Sequence, residues 1–159
     1  MKPEITTIAE KRFIGQKIEM SFTNNKTFDL WKHFITRKKE IKNNVGIELY
    51  SIEIYPVSFF ENFNPNNNFE KWAAVEVTDF AKIPDDMGTI ISPEGLYAIF
   101  LYKGLASEGT KTYQQIFQNW LPKSGYLLDN RPHFAVMGEK YKNNHPDSEE
   151  ELWIPIKLK

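Results

Sequence analysis

The spacing of apolar and polar positions changes period several times along the chain. Over residues 5–20, Ile8, Phe13, Ile14, Ile18 and Met20 alternate loosely with polar neighbours, which predicts an opening strand bent near Gly15. The period then lengthens. Phe28, Trp31, Phe34 and Ile35 return at three- and four-residue steps, the signature of one apolar helix face over 26–40, started by Asn24-Asn25. Arg37, Lys38 and Lys39 supply the charge favoured at a helix C-terminus, and Asn43-Asn44 with Gly46 stop it. Residues 47–57 and 71–77 are rich in β-branched and aromatic side chains and predict two strands. The asparagine-rich segment 62–68 between them predicts a polar, flexible loop. Turns follow at Pro84-Asp85-Asp86-Met87-Gly88 and Ser92-Pro93-Glu94-Gly95.

The second half repeats the order. Residues 96–103 predict a strand. Ser107 or Thr110 caps a helix whose face is Tyr113, Ile116, Phe117, Trp120 and Leu121, ended by Pro122 and Gly125. Residues 132–141 predict a strand, then a turn at Asn143-Asn144-His145-Pro146-Asp147. Leu152, Ile154, Ile156 and Leu158 alternate along a last strand in which Pro155 leaves one N–H side unpaired. The chain thus reads strand–helix–strand–strand twice, in halves at about 4–80 and 93–158 of one domain spanning 1–159. Two such helices cover one face of the sheet, so the large side chains on the other face need a separate reason.

Composition narrows the function. The 159 residues are 41% hydrophobic and 26% charged, which is globular composition. Twenty basic residues against 21 acidic ones argue against direct nucleic-acid binding through bulk charge. The absence of cysteine excludes thiol catalysis and cysteine metal sites and is compatible with a cytoplasmic location. No apolar run approaches the ~18 residues of a membrane span, and Met1-Lys2-Pro3-Glu4 opens no apolar h-region, so neither a span nor a leader is expected. His33, His133 and His145 lack metal-ligand spacing. There is no P-loop, dinucleotide fingerprint or Gly-x-Ser-x-Gly, so neither a metal nor a cofactor is expected. The 12 Phe, 7 Tyr and 4 Trp remain a surplus to explain.

Two stretches carry a family resemblance. One is Tyr113-x-x-Ile116-Phe117-x-x-Trp120-Leu121-Pro122-x-Ser124-Gly125-Tyr126, followed by Leu128-Asp129-x-Arg131-Pro132-His133-Phe134. The other is Met137-Gly138-Glu139-Lys140-Tyr141 leading to Pro146-Asp147-Ser148-Glu149-Glu150-Glu151-Leu152-Trp153-Ile154-Pro155-Ile156. Together they resemble the gyrase-inhibitor-like (GyrI-like) small-molecule-binding domain, the effector-binding half of many transcription regulators. The resemblance is dense over 93–157 and looser over 4–80. It implies an α+β fold of duplicated β-α-β-β halves, an antiparallel sheet with two helices on one face and an aromatic ligand groove on the other. With the first strand expected near residue 5, a helix-turn-helix ahead of it and direct DNA binding are not expected. The family's buried glutamate, after the aromatic matching Phe134, is replaced by Ala135.

Alternation within the strands then selects the groove residues. In the last strand Leu152, Ile154 and Ile156 suit the helices, which turns Glu151 and Trp153 to the groove. The resemblance puts Trp72 there, with Ala74 and Glu76 on its face, and the matching set in 47–57 is Tyr50, Ile52 and Ile54. In 132–141 the set that includes Ala135 is His133, Met137, Glu139 and Tyr141. Trp72, Trp153, Tyr50 and Tyr141 would wall the groove, Met137 would adapt to varied ligands, and Glu76, Glu139 or Glu151 would replace the missing carboxylate. The expected function is binding of bulky apolar or amphipathic small molecules, for sensing or sequestration. A hydrolase using a groove glutamate and tyrosine is left open, and the family resemblance leaves open a topoisomerase-modulating interaction protein.

Overall fold

Two long extended runs organise the chain. In the computed structural model, which describes residues 2–159, the first run is β1 (Glu4–Ile8) and β2 (Lys11–Met20), interrupted only at Ala9-Glu10. Then come α1 (Thr27–Arg37), β3 (Leu49–Ile54) and β4 (Phe69–Val77). The second run is β5 (Gly88–Ser92) and β6 (Gly95–Lys103), interrupted at Pro93-Glu94. It leads to α2 (Gly109–Gln115), which continues as a π-turn over Ile116–Trp120 and a last α-turn, Leu121–Lys123. The short β7 (Tyr126–Leu128) precedes β8 (His133–Met137) and β9 (Glu149–Leu158). The duplicated strand–helix–strand–strand order and the α+β class read from the sequence are those of the structure. The predicted bend at Gly15 lies instead at Ala9-Glu10, and β5 and β7 are strands the hydrophobic pattern did not mark.

Every pairing is antiparallel, in the order β1-β6-β9-β8-β3-β4-β2-β5, with β7 on β9. β1 and β2 are six places apart in that order, roughly 29 Å in a flat sheet at ~4.8 Å per strand. The two residues joining them span no more than ~10 Å. The same holds for β5 and β6. The sheet must therefore curl until its ends meet, and the register shows that they do: Ile8 lies opposite Gly95 and Lys11 opposite Ser92, three residues on in one run and three back in the other. The two long runs form one continuous ladder that closes the sheet.

The helices cover the outer face. Tyr113, Ile116, Phe117, Trp120 and Leu121 all lie against Ala98, Phe100, Leu152, Ile154 and Ile156, as their spacing predicts. The first helix departs from its pattern: Leu30 and Phe34 are buried against Ile14, Ala73 and Val75, while Phe28 and Ile35 face solvent. Part of the family-like motif is a clamp. Arg131 donates to Asp129 (2.7 Å) and to the Ile156 carbonyl (3.0 Å), and its guanidinium lies 4.7 Å from the Tyr97 ring centroid. It ties the turn before β8 to β6 and β9. Pro155 falls where β9 leaves β8 and takes up β7.

The segment after β3 is not a rim of the inner face. Phe59, Phe60 and Phe63 gather with Phe22, Tyr55 and Phe69, and Phe60 stacks on Phe117 of the second helix at 5.3 Å. Asn66 and Pro65 are held by the Thr23 side chain and backbone. Polarity of the asparagines concealed a set of aromatic anchors that pins this segment to the outer side.

Gly15 marks the closest approach of β2 to β4: a Cβ there would collide with the Ala73 carbonyl oxygen and with Ala74. Gly15→Ala is expected to cost about 1–3 kcal/mol in urea denaturation, the usual cost of overpacking. Gly125→Ala, with nothing within 4 Å of the added carbon, is expected to stay within about 0.5 kcal/mol.

Candidate functional site

Residues opposite one another in an antiparallel ladder share a face. The pairs Phe13–Ile90, Lys17–Trp72, Tyr50–Ala74, Ile52–Phe134 and Phe134–Trp153 therefore place one set of side chains on the inside of the curl. Phe13, Tyr97 and Phe134 are fully buried there, and Tyr50, Trp72 and Trp153 nearly so, although no helix packs on this face. The sheet buries them by wrapping around them. Phe13 meets Tyr50 edge-on at 4.9 Å, and Phe134 lies 5.9 Å from Trp153. Trp72 extends over Gly88, where a Cβ would sit 2.8 Å from its ring.

Charge enters this aromatic layer in a repeated arrangement. The Trp72 indole N–H donates to Glu70 (3.0 Å) and that of Trp153 to Glu151 (3.1 Å), each glutamate standing two residues before its tryptophan. A lysine of β2 overlies each ring: Lys17 Nζ is 5.8 Å from the Trp72 centroid, and Lys11 Nζ is 5.9 Å from that of Trp153. Lys11 also pairs with Glu76 at 3.1 Å, and the Tyr50 hydroxyl donates to the same Glu76 oxygen at 3.4 Å. Burial, then the Glu76 carboxylate, raises the Tyr50 phenol well above its usual range, so it remains a donor. One surface recess of about 470 Å³ lies between α1, Lys17 and Gly88, and another of about 410 Å³ lies beside Phe59 and Leu128.

The structure brings together Tyr50, Ile52, Trp72, Glu76, Glu151 and Trp153 on the inner face, with Glu151 at its exposed rim. It removes the rest of the set. Ala135 lies opposite Ser51 and Leu152 and belongs to the layer under the second helix, and Met137 and His133 share its parity. Phe134 and Val136 occupy the inner face of β8 instead. Their contacts with Ile52, Tyr50 and Trp153 fix the register, and a one-residue reversal of parity moves a whole strand's side chains. Glu139 and Tyr141 follow the end of β8 at Met137 and lie in a turn, Glu139 exposed. Val136 is no more acidic than Ala135, so β8 offers the inner face no carboxylate in either register. The sequence reading missed Phe13, Lys11, Tyr97 and Glu70; strict alternation from Trp72 through the paired strands would have found Glu70.

The outer face carries its own buried charges. Glu53 lies opposite Lys71 and His133, with Lys71 Nζ 3.4 Å from its carboxylate. Burial raises Glu53, partly offset by Lys71. His133 packs against Tyr55 (4.8 Å) and Phe117 (6.2 Å), and burial, with Arg131 adding to it, pushes the imidazole down to about 3. Among the described residues no group of three or more potential metal ligands occurs and no helix is long and apolar enough to cross a membrane.

Comparison with known proteins agrees with this architecture. The family model for the GyrI-like small molecule binding domain matches residues 1–157. The chain belongs to this family. It is 28% identical over 129 residues to the transcriptional regulator BrlR of Pseudomonas aeruginosa, covering 80% of this chain but only 45% of that protein. SAV2435, solved bound to tetraphenylphosphonium, superposes with a TM-score of 0.75 at 13% identity, over 99% of this chain and 94% of the other. The EcmrR C-terminal domain gives 0.69 at 16%, over 99% and 98%. At such identities the two structures establish the shared fold alone. As a GyrI-like domain this is a small-molecule-binding module related to the effector-binding parts of transcription regulators, and in it the Asp129-x-Arg131-Pro132 motif serves as a clamp against Tyr97 of the aromatic layer.

Placing a charge on the outer face of β8 tests the assignment. Ala135→Glu puts a carboxylate into the layer of Leu152 and Ile116 and is expected to cost about 3 kcal/mol or more in urea denaturation. His133 supplies a pH test. The unfolded chain protonates this group near 6.5 but the folded one only near 3. Stability therefore falls as pH drops through that window, by up to about 1.4 kcal/mol per unit. Glu53, raised in the fold, works in the opposite sense. The difference between wild type and His133→Phe isolates the histidine, and urea melts at pH 7.5 and 5 are expected to show the variant less weakened by acid.

Proposed function

We propose that the inner aromatic face of this GyrI-like domain binds bulky apolar or amphipathic small molecules, as the sensing or sequestering unit of a cytoplasmic regulatory system. The observation that carries this reading is the aromatic layer itself. Six large rings (Phe13, Tyr50, Trp72, Tyr97, Phe134 and Trp153) are gathered on a face that no helix covers. A fold stabilised only by its own core would not need two tryptophans whose N–H groups are each satisfied by a rim glutamate. Such rings offer large contact area at low conformational cost, and their faces attract cations. SAV2435 binding tetraphenylphosphonium and BrlR being a transcriptional regulator support the same direction.

Glu76 suits the role of a fixed counter-charge more than that of a catalytic base. One of its oxygens already meets Lys11 and the Tyr50 hydroxyl. Lys11 and Tyr50 hold this carboxylate in a charge-assisted pair, an arrangement suited to matching a positive charge more than to taking a substrate proton. Binding without turnover is therefore the reading the geometry favours. A ligand entering the layer must displace the Lys11 side chain or part the rings, so a detectable change in tryptophan environment accompanies it.

A panel of hydrophobic dyes and lipophilic cations, screened by thermal shift, tests this directly. A ligand present at 100 times its Kd stabilises the fold by about 2.7 kcal/mol. Ligand-induced quenching of tryptophan fluorescence is expected to fall in Trp72→Phe and Trp153→Phe. It is expected to persist in Trp31→Phe and Trp120→Phe, whose rings pack with the two helices. Quenching lost only in the latter pair would move the site to the outer face.

A further inference from the structure

Each inner-face tryptophan is overlain by a lysine that pairs with a glutamate. Lys17 pairs with the Glu70 that accepts from Trp72, whereas Lys11 pairs with Glu76 and not with the Glu151 that accepts from Trp153. Lys17 and Glu70 are 59% and 42% exposed and 3.8 Å apart, a surface pair that water screens. Lys11 and Glu76 are 20% and 18% exposed and 3.1 Å apart. Lys11 therefore sits within the layer, its ammonium over the Trp153 ring and against the Glu76 carboxylate, with the Tyr50 hydroxyl on the same oxygen. An aromatic face and a carboxylate converging on one positive charge, the carboxylate itself held by a hydroxyl, is the set of groups that would receive a lipophilic cation.

We propose that Lys11 is a tethered occupant of this cation subsite and sets the charge preference of the groove. The inference rests on the inner face being the ligand site. While Lys11 is in place, an incoming cation must displace an ammonium from both Glu76 and Trp153, and it meets a like charge as it approaches. A neutral aromatic ligand meets neither obstacle. Wild type thus favours neutral ligands, even though the face contains a carboxylate beside aromatic rings. The short link explains why the lysine is there: Lys11 opens β2 directly after Ala9-Glu10, and its pairing with Ser92 fixes its side chain on the inner face. Glu76 faces the same side from β4, opposite Phe13.

The test uses two probes with the same aryl groups and different charge, tetraphenylphosphonium and the neutral triphenylphosphine oxide, titrated calorimetrically into the full chain. Lys11→Met keeps the apolar stem and removes the charge. Its affinity for tetraphenylphosphonium is expected to rise about tenfold or more, equivalent to 1.4 kcal/mol. Affinity for triphenylphosphine oxide is expected to change by less than about threefold. Lys11→Arg, which retains a cation, is expected to bind tetraphenylphosphonium as wild type does, and Lys11→Met/Glu76→Gln to lose the gain. Lys11→Gln gives the same comparison if the methionine variant does not fold. An equal change for both probes in the Lys11 variants, or a gain that survives Glu76→Gln, overturns the assignment of Lys11 while leaving the aromatic site standing. Binding of neither probe to any variant overturns both readings.

Discussion

The structure depends on one antiparallel ladder. The run from Glu4 to Met20 and the run from Gly88 to Lys103 pair in an unbroken register across the two interruptions at Ala9-Glu10 and Pro93-Glu94. Because each run also pairs with a strand of its own half, β2 with β4 and β6 with β9, this ladder joins the halves and returns the sheet on itself. A flat sheet with helices on one side would leave its second face in water. The closed one gives that face a lining of its own, and this allows Phe13, Tyr97 and Phe134 to be fully buried beneath nothing but strands.

Closure also separates two kinds of buried chemistry. Outside, under the helices, Glu53, Lys71 and His133 stand on adjacent strands at opposed positions, and burial shifts the ionisation of Glu53 and His133 against the charged form. Inside, the charges sit at the margins of an aromatic layer and find partners there: Glu70 and Glu151 with indole N–H groups, Glu76 with a lysine and a tyrosine. Polar groups held this way at the edge of an apolar surface give direction and charge preference to a site whose contact area comes from the rings.

The halves are alike in element order and in the tryptophan–glutamate–lysine arrangement, yet they are not equivalent. Both overlying lysines come from β2, one near each end of the strand, so the first half supplies the cation to both tryptophans. Lys11 reaches across the closing ladder towards Trp153 of the second half. The asymmetry arises because β2 lies at the seam, where a side chain can serve a strand from either half.

Periodicity alone determined the duplicated strand–helix–strand–strand order, the second helix's buried stripe and the alternation of the last strand, because each depends on neighbours a few residues away. The motif-rich second half identified the family for the same reason. The resemblance put Trp72 on the inner face, Glu76 and Tyr50 followed from its position, and alternation against Leu152, Ile154 and Ile156 turned Trp153 the same way. Alternation did not settle β8. His133, Phe134, Ala135, Val136 and Met137 are all buried, so the strand contains no polar face to set its phase. Only pairing with Ser51 and Leu152 on one parity, and with Ile52 and Trp153 on the other, decided which side faces in. The same limit applies to Lys11 and to the aromatic anchors at Phe59 and Phe60. Lys11 meets Glu76 and Trp153, and Phe60 meets Phe117, across separations in sequence that only the tertiary fold brings together.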